Sequence, residues 1–181
     1  MPERAERYLE ELRNEFPGLS VVHKRDDRLS RAIDVALRVL TLGAQRSFLT
    51  SYVTTLGRTI YVPDGWADRT DADRYITLRH EAVHLRQFRR YGRVGMAAIY
   101  LVPIVPMGLA LGRAWLEWEA YRETLRATAE VHGVAAMADP VLTERIVSQF
   151  TGGAYGWMWP FPATIRRWVA DANRAITREI G

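Results

Sequence analysis

The spacing of apolar residues predicts a chain that is mostly helical. Apolar positions recur three and four residues apart, which is typical of amphipathic helices with one face turned to a core. Pro17-Gly18 and Gly92 mark helix ends, and Thr70 with Asp73 has the spacing of a capping box. The pattern predicts helices over 1–16, 29–42, 71–91, 109–131, 141–149 and 163–180.

Two segments ahead of residue 71 predict strands instead, because they are rich in Val, Thr, Ile and Tyr. Residues 19–24 form a single strand, and residues 47–55 and 58–63 form a hairpin that turns at Leu56-Gly57. We therefore expect an α+β fold that is mostly helical. A small sheet, made of one strand and the hairpin, packs on the helix over 71–91, and a helical C-terminal half follows.

The length and the short connections predict a single domain. The chain has 181 residues, shows no internal repeat and contains no low-complexity tract. Its upper part, about 1–92, holds the strands, and its lower part, about 93–181, is helical. The N-terminal segment lacks the apolar stretch of a secretory signal, so we expect a cytoplasmic protein.

Residues 94–112 form an uncharged run of nineteen residues, which is long enough to cross a bilayer as one helix. Pro103 and Pro106 would interrupt such a helix near its middle. The run therefore favours a bent helical hairpin that is buried in the domain. Contact with a membrane through this segment is the alternative.

Composition narrows the chemistry that the chain can carry. It has no cysteine, which excludes disulfides, thiolate metal sites and a Cys nucleophile, so any metal must be bound by His, Asp or Glu. The formal net charge is +4, but Lys24 is the only lysine among 25 basic residues. Such one-sided use of arginine does not point to phosphate contacts, and we do not expect nucleic acid as a partner.

A single motif carries the candidate chemistry: His80, Glu81 and His84 form H-E-x-x-H inside the helix over 71–91. Residues four apart on a helix share one face, so both imidazoles can bind one metal ion. Glu81 lies about 100° further round, where it can reach a water molecule without binding the metal. A catalytic zinc site needs a third protein ligand, which must come from elsewhere in the chain.

The sequence resembles the gluzincin branch of zinc metallopeptidases. LRHEAVHLRQF is similar to the active-site helix of these enzymes, and WLEWEAYRE is similar to their downstream glutamate helix. The resemblance implies Zn²⁺ bound by His80, His84 and Glu119, with Glu123, one helical turn later, supporting a ligand histidine. Glu117 is the rival for the third position and lies nearly opposite Glu119 on the helix; an Asp or His132 is a further alternative.

The resemblance also implies an activity. A metal-activated water would hydrolyse a peptide bond of a peptide or protein substrate, with Glu81 as the general base. The hairpin that ends GRTIYVP would hold the substrate along its edge strand. The residue that stabilises the oxyanion stays open among Tyr121, His132 and Tyr155. Two other functions compete: a non-catalytic, zinc-stabilised module that binds peptides, and a membrane-associated helical protein in which H-E-x-x-H is incidental.

Overall fold

The computed structural model describes residues 3–24, 53–101, 110–152 and 158–180. The predicted helix over 29–42 and residues 47–52 of the predicted hairpin lie outside these ranges. A helix and a small sheet come first and helices follow, which confirms the predicted mostly helical α+β class. The elements are α1 (Arg4–Glu15), β1 (Ser20–His23), β2 (Thr54–Leu56), β3 (Thr59–Val62), a 3-10 turn (Asp64–Trp66), α2 (Asp71–Leu101), α3 (Leu111–His132), α4 (Val134–Met137), α5 (Pro140–Thr151) and α6 (Pro162–Ile180).

The three strands form one mixed sheet in the order β1-β3-β2. Strands β2 and β3 form an antiparallel hairpin, as the sequence predicts, but its turn is Gly57-Arg58 rather than Leu56-Gly57, because Leu56 still pairs with Thr59. Gly57 has a φ of 64°, which glycine adopts without strain. Strand β1 pairs parallel to β3, with Ser20 opposite Thr59. Ile60 and Val62 of β3 are fully buried, so the central strand supplies the apolar face of the sheet.

Helix α2 begins where the capping signal places it. The Thr70 hydroxyl oxygen accepts the backbone N–H of Asp73 at 3.1 Å, and its O–H donates to the Asp73 carboxylate at 2.7 Å. Gly92, with φ 67° and ψ 175°, breaks the helix at the predicted residue. The prediction of the helix end is nevertheless incomplete, because helical structure resumes at once and runs to Leu101.

The chain divides into two compact units, Met1–Gly92 and Arg93–Gly181. In the first unit, α1 and α2 make contact through Tyr8 and Tyr75, whose ring centroids are 5.4 Å apart. In the second unit, apolar side chains of α3, α5 and α6 form a core around Phe150, which is fully buried. Trp118, Tyr121 and Trp168 pack against this core.

The uncharged run over 94–112 is described at its two ends only, and 102–109 lie outside the described residues. Val94 is 85% exposed, whereas Met96 and Ala110 are buried. The prediction that the whole run is buried is therefore wrong at its described ends, and burial of 102–109 stays a prediction. Across the residues that the structure describes, every helix is either too short or too polar to span a bilayer.

Candidate metal centre

The two histidines of the motif lie side by side on α2. The ring centroids of His80 and His84 are 5.1 Å apart and the ring planes are inclined by 72°. This is the arrangement that a four-residue spacing produces on a continuous helix. His84 is buried and His80 is partly buried. The two imidazoles therefore occupy one side of a well-covered helix, as two ligands of one ion must.

Gln87 orients the His84 ring. The Oε1 atom of Gln87 lies 2.9 Å from Nδ1 of His84, and both side chains are buried. An amide oxygen only accepts hydrogen bonds, so Nδ1 of His84 carries the proton and donates it. In this tautomer Nε2 keeps the lone pair that a metal ion needs. Gln87 follows His84 by three residues, and this spacing places both side chains on one face of the helix.

Glu81 points to the sheet rather than to solvent. It is 4% exposed, and its Oε2 atom accepts a hydrogen bond of 2.7 Å from the hydroxyl of Thr55 on β2. Thr55 belongs to the predicted hairpin, but no sequence signal pairs it with a glutamate 26 residues later. The structure thus gives the candidate general base a polar partner on a different element.

An ion pair between α1 and α2 lies one turn beyond the motif. Arg86 donates two hydrogen bonds to the two carboxylate oxygens of Glu15, at 3.0 and 2.7 Å, and Arg89 adds a third at 3.2 Å. The hydrogen bond from Arg86 is the main reason that the pKa of Glu15 is lowered. The same hydrogen bond raises the pKa of Arg86. The contact fixes α1 against the helix that carries the histidines.

The acidic candidates lie on α3, and their burial differs sharply. Glu117 is 3% exposed, and Ala114 and Ala120, three residues to either side, are buried on the same face. Glu119 is partly buried. The buried face of α3 therefore carries Glu117, which the sequence analysis names as the rival ligand.

Glu123, the predicted supporting acid, forms an ion pair with Arg126 at 3.4 Å. Arg126 also donates a shorter hydrogen bond, 2.6 Å, to Glu179 of α6. The hydrogen bond that Arg126 donates to Glu179 is the main reason that the pKa of Arg126 is raised. These contacts give Glu123 a structural partner, and its support of a ligand histidine stays a prediction.

The three candidates for oxyanion stabilisation fall in different surroundings. Tyr121 packs on the ring of Phe150, with centroids 5.6 Å apart, in the core of the second unit. His132 is exposed at the last residue of α3. Tyr155 lies outside the described residues. None of these positions identifies a donor.

No known protein family, curated protein or solved structure matches this chain. The resemblance to gluzincins therefore depends on the two motifs alone.

Proposed function

We propose that this protein is a zinc-dependent peptidase with Glu81 as its general base. The observation that carries the proposal is the geometry of α2: His80 and His84 lie side by side, and the Glu81 carboxylate accepts a hydrogen bond from Thr55. Two imidazoles that can bind one ion, and a separate carboxylate that can accept a proton, are groups that a zinc hydrolase needs.

The proposed metal ligands are His80, His84 and Glu117. They are two imidazoles that lie side by side on α2 and a buried carboxylate of α3. Two imidazoles and one carboxylate are a ligand set that catalytic zinc uses, with a further position left for water or substrate. The tautomer that Gln87 fixes on His84 fits this role.

We prefer Glu117 to Glu119 as the third metal ligand because Glu117 is the more buried of the two residues. The Glu117 carboxylate is 3% exposed, and a divalent cation is a partner that a carboxylate shielded from bulk water binds strongly. A partly exposed carboxylate such as Glu119 has water as an alternative partner. We therefore propose Glu117 as the third metal ligand, with Glu119 as the alternative.

In this mechanism the side chains of α2 have different roles in hydrolysis. Bound zinc would supply Lewis acidity that activates water and polarises the scissile carbonyl. Glu81 accepts a proton from the attacking water as the new C–O bond forms. It then delivers that proton to the departing nitrogen as the C–N bond breaks. Gln87 keeps the His84 ring in one orientation throughout.

The experiment that tests the assignment is elemental analysis of the purified protein and of three variants. We expect about one zinc ion per wild-type chain, loss of zinc in His80→Ala and Glu117→Ala, and retention in Glu119→Ala. Loss from Glu119→Ala with retention in Glu117→Ala would assign the third ligand to Glu119. A wild-type protein that binds no zinc after dialysis against the free ion would refute the proposal.

A further inference from the structure

The side chain of Thr55 is placed to control the position of Glu81. Among the described residues, the Thr55 hydroxyl is the one hydrogen-bond partner that the Glu81 carboxylate has, at 2.7 Å from Oε2. The bond is charge-assisted, which makes it stronger than a bond between neutral groups. We propose that Thr55 is a positioning residue that holds the Glu81 carboxylate in its working orientation; this inference rests on the proposed function.

The strand that carries Thr55 is itself held in place. Thr55 lies opposite Ile60 in the antiparallel pairing of β2 with β3, and Ile60 is fully buried. Opposite residues of such a pair point to the same face, so the Thr55 hydroxyl is directed to the covered side of the sheet, where α2 lies. Its distance from Glu81 is therefore set by the backbone of the hairpin.

Lys24 secures the same strand from the other face. Neighbouring residues of a strand point to opposite faces, so Thr54 is directed away from Thr55. The Thr54 hydroxyl oxygen accepts a hydrogen bond of 3.0 Å from Nζ of Lys24, which is 1% exposed. The backbone N–H of Lys24 extends the pairing of β1 with β3 by donating to Val62 at 3.0 Å. Lys24 thus reaches from β1 across β3 to β2.

A glutamate side chain has three rotatable bonds, and general-base catalysis requires its carboxylate at hydrogen-bond distance from the attacking water. The Thr55 contact engages Oε2 and leaves Oε1 able to accept the proton. Loss of the contact releases the carboxylate to other rotamers without touching the histidines. A positioning role therefore predicts a fall in kcat, with KM and zinc content unchanged.

The test compares Thr55→Val, which removes the hydroxyl, with Thr55→Ser, which keeps it. Thr59→Val is the matched control, because Thr59 forms a hydroxyl contact of 3.0 Å with Ser20 on the same sheet and does not contact Glu81. With zinc-loaded protein and the best-cleaved peptide of a fluorogenic library, we expect Thr55→Val to lower kcat by about 10-fold or more. Thr55→Ser should recover activity to within about 3-fold, and Thr59→Val should match the wild type.

Crystal structures of the wild type, Thr55→Val and Thr55→Ser give a readout that does not require activity. We expect one carboxylate position for Glu81 in the wild type and Thr55→Ser, and a displaced or multiple position in Thr55→Val. A Glu81 carboxylate that stays in place in Thr55→Val overturns the inference, as does equal kcat in Thr55→Val and Thr59→Val. A wild type that binds zinc but cleaves no peptide refutes the proposed function instead, and the Glu81 position then decides the role of Thr55.

Discussion

Gln87 and His84 form a buried hydrogen bond of 2.9 Å within a single turn of α2. The amide oxygen accepts, so the imidazole donates from Nδ1 and presents Nε2 as a potential ligand atom. Second partners of this kind fix both the tautomer and the rotation of a ligand histidine. We therefore expect the hydrogen bond between Gln87 and His84 to affect the affinity for a metal ion.

Replacement of Gln87 by Leu should weaken zinc binding by about 10- to 100-fold, because the His84 ring loses the acceptor that orients it. Gln87→Glu is the matched control, since it keeps an acceptor at the same reach and should stay close to the wild type. Competition with a chromogenic chelator measures both affinities. Equal affinity in Gln87→Leu and the wild type would exclude an orienting role.

Replacement of Glu81 by Gln should abolish hydrolysis and leave zinc content intact. An amide of the same shape cannot accept the proton, and loss of a general base lowers kcat by about 10²- to 10⁴-fold. Glu6→Gln, at an exposed position of α1, is the control and should be fully active. A Glu81→Gln variant that cleaves peptides at the wild-type rate would refute the role of Glu81 as general base.

The ion pair of Glu15 with Arg86 should make stability depend on pH. The pKa of Glu15 is lowered on folding, so its contribution is present at neutral pH and is lost as the pH falls through that lowered pKa. Glu15→Gln should therefore reduce the free energy of unfolding at pH 7 by about 0.5 to 1 kcal/mol, a small value because solvent screens the pair. The difference should become smaller as the pH falls below 4.5, the ordinary pKa of a glutamate.

Urea denaturation at several pH values measures this difference. Glu10→Gln, at an exposed position of the same helix, provides the comparison. An effect of Glu15→Gln that is the same at pH 7 and pH 3 would show that packing, rather than charge, explains the contact.

Replacement of Phe150 by Ala should strongly destabilise the second unit. The Phe150 ring is fully buried and meets Trp118 and Trp168 edge-on, with both centroid distances at 6.5 Å. Phe150→Ala should lower the free energy of unfolding by about 3 to 5 kcal/mol, since it leaves a cavity. Phe161→Ala, at a ring that is 51% exposed, should cost less than about 1 kcal/mol. Similar losses in both variants would contradict this description of the core.

Local signals in the sequence were enough to predict most of the described elements. The apolar period of α1, the capping residues Thr70 and Asp73, and the break at Gly92 all act within a few residues, so each can be recognised from its neighbours alone. Strand β1 and the turn at Gly57 follow from composition in the same way. The short helix α4 was not predicted, because four residues are too few to show a period.

In the candidate site, too, some features follow from the local sequence and others depend on the tertiary structure. Sequence by itself determined that His80 and His84 share a face of α2 and that Glu81 lies off that face, because the helix repeat fixes those angles. Only the tertiary structure decided that Thr55 meets Glu81 and that α3 buries Glu117 while leaving Glu119 partly exposed. The helix repeat places two acids on different faces, but which face becomes covered depends on contacts between residues far apart in the chain.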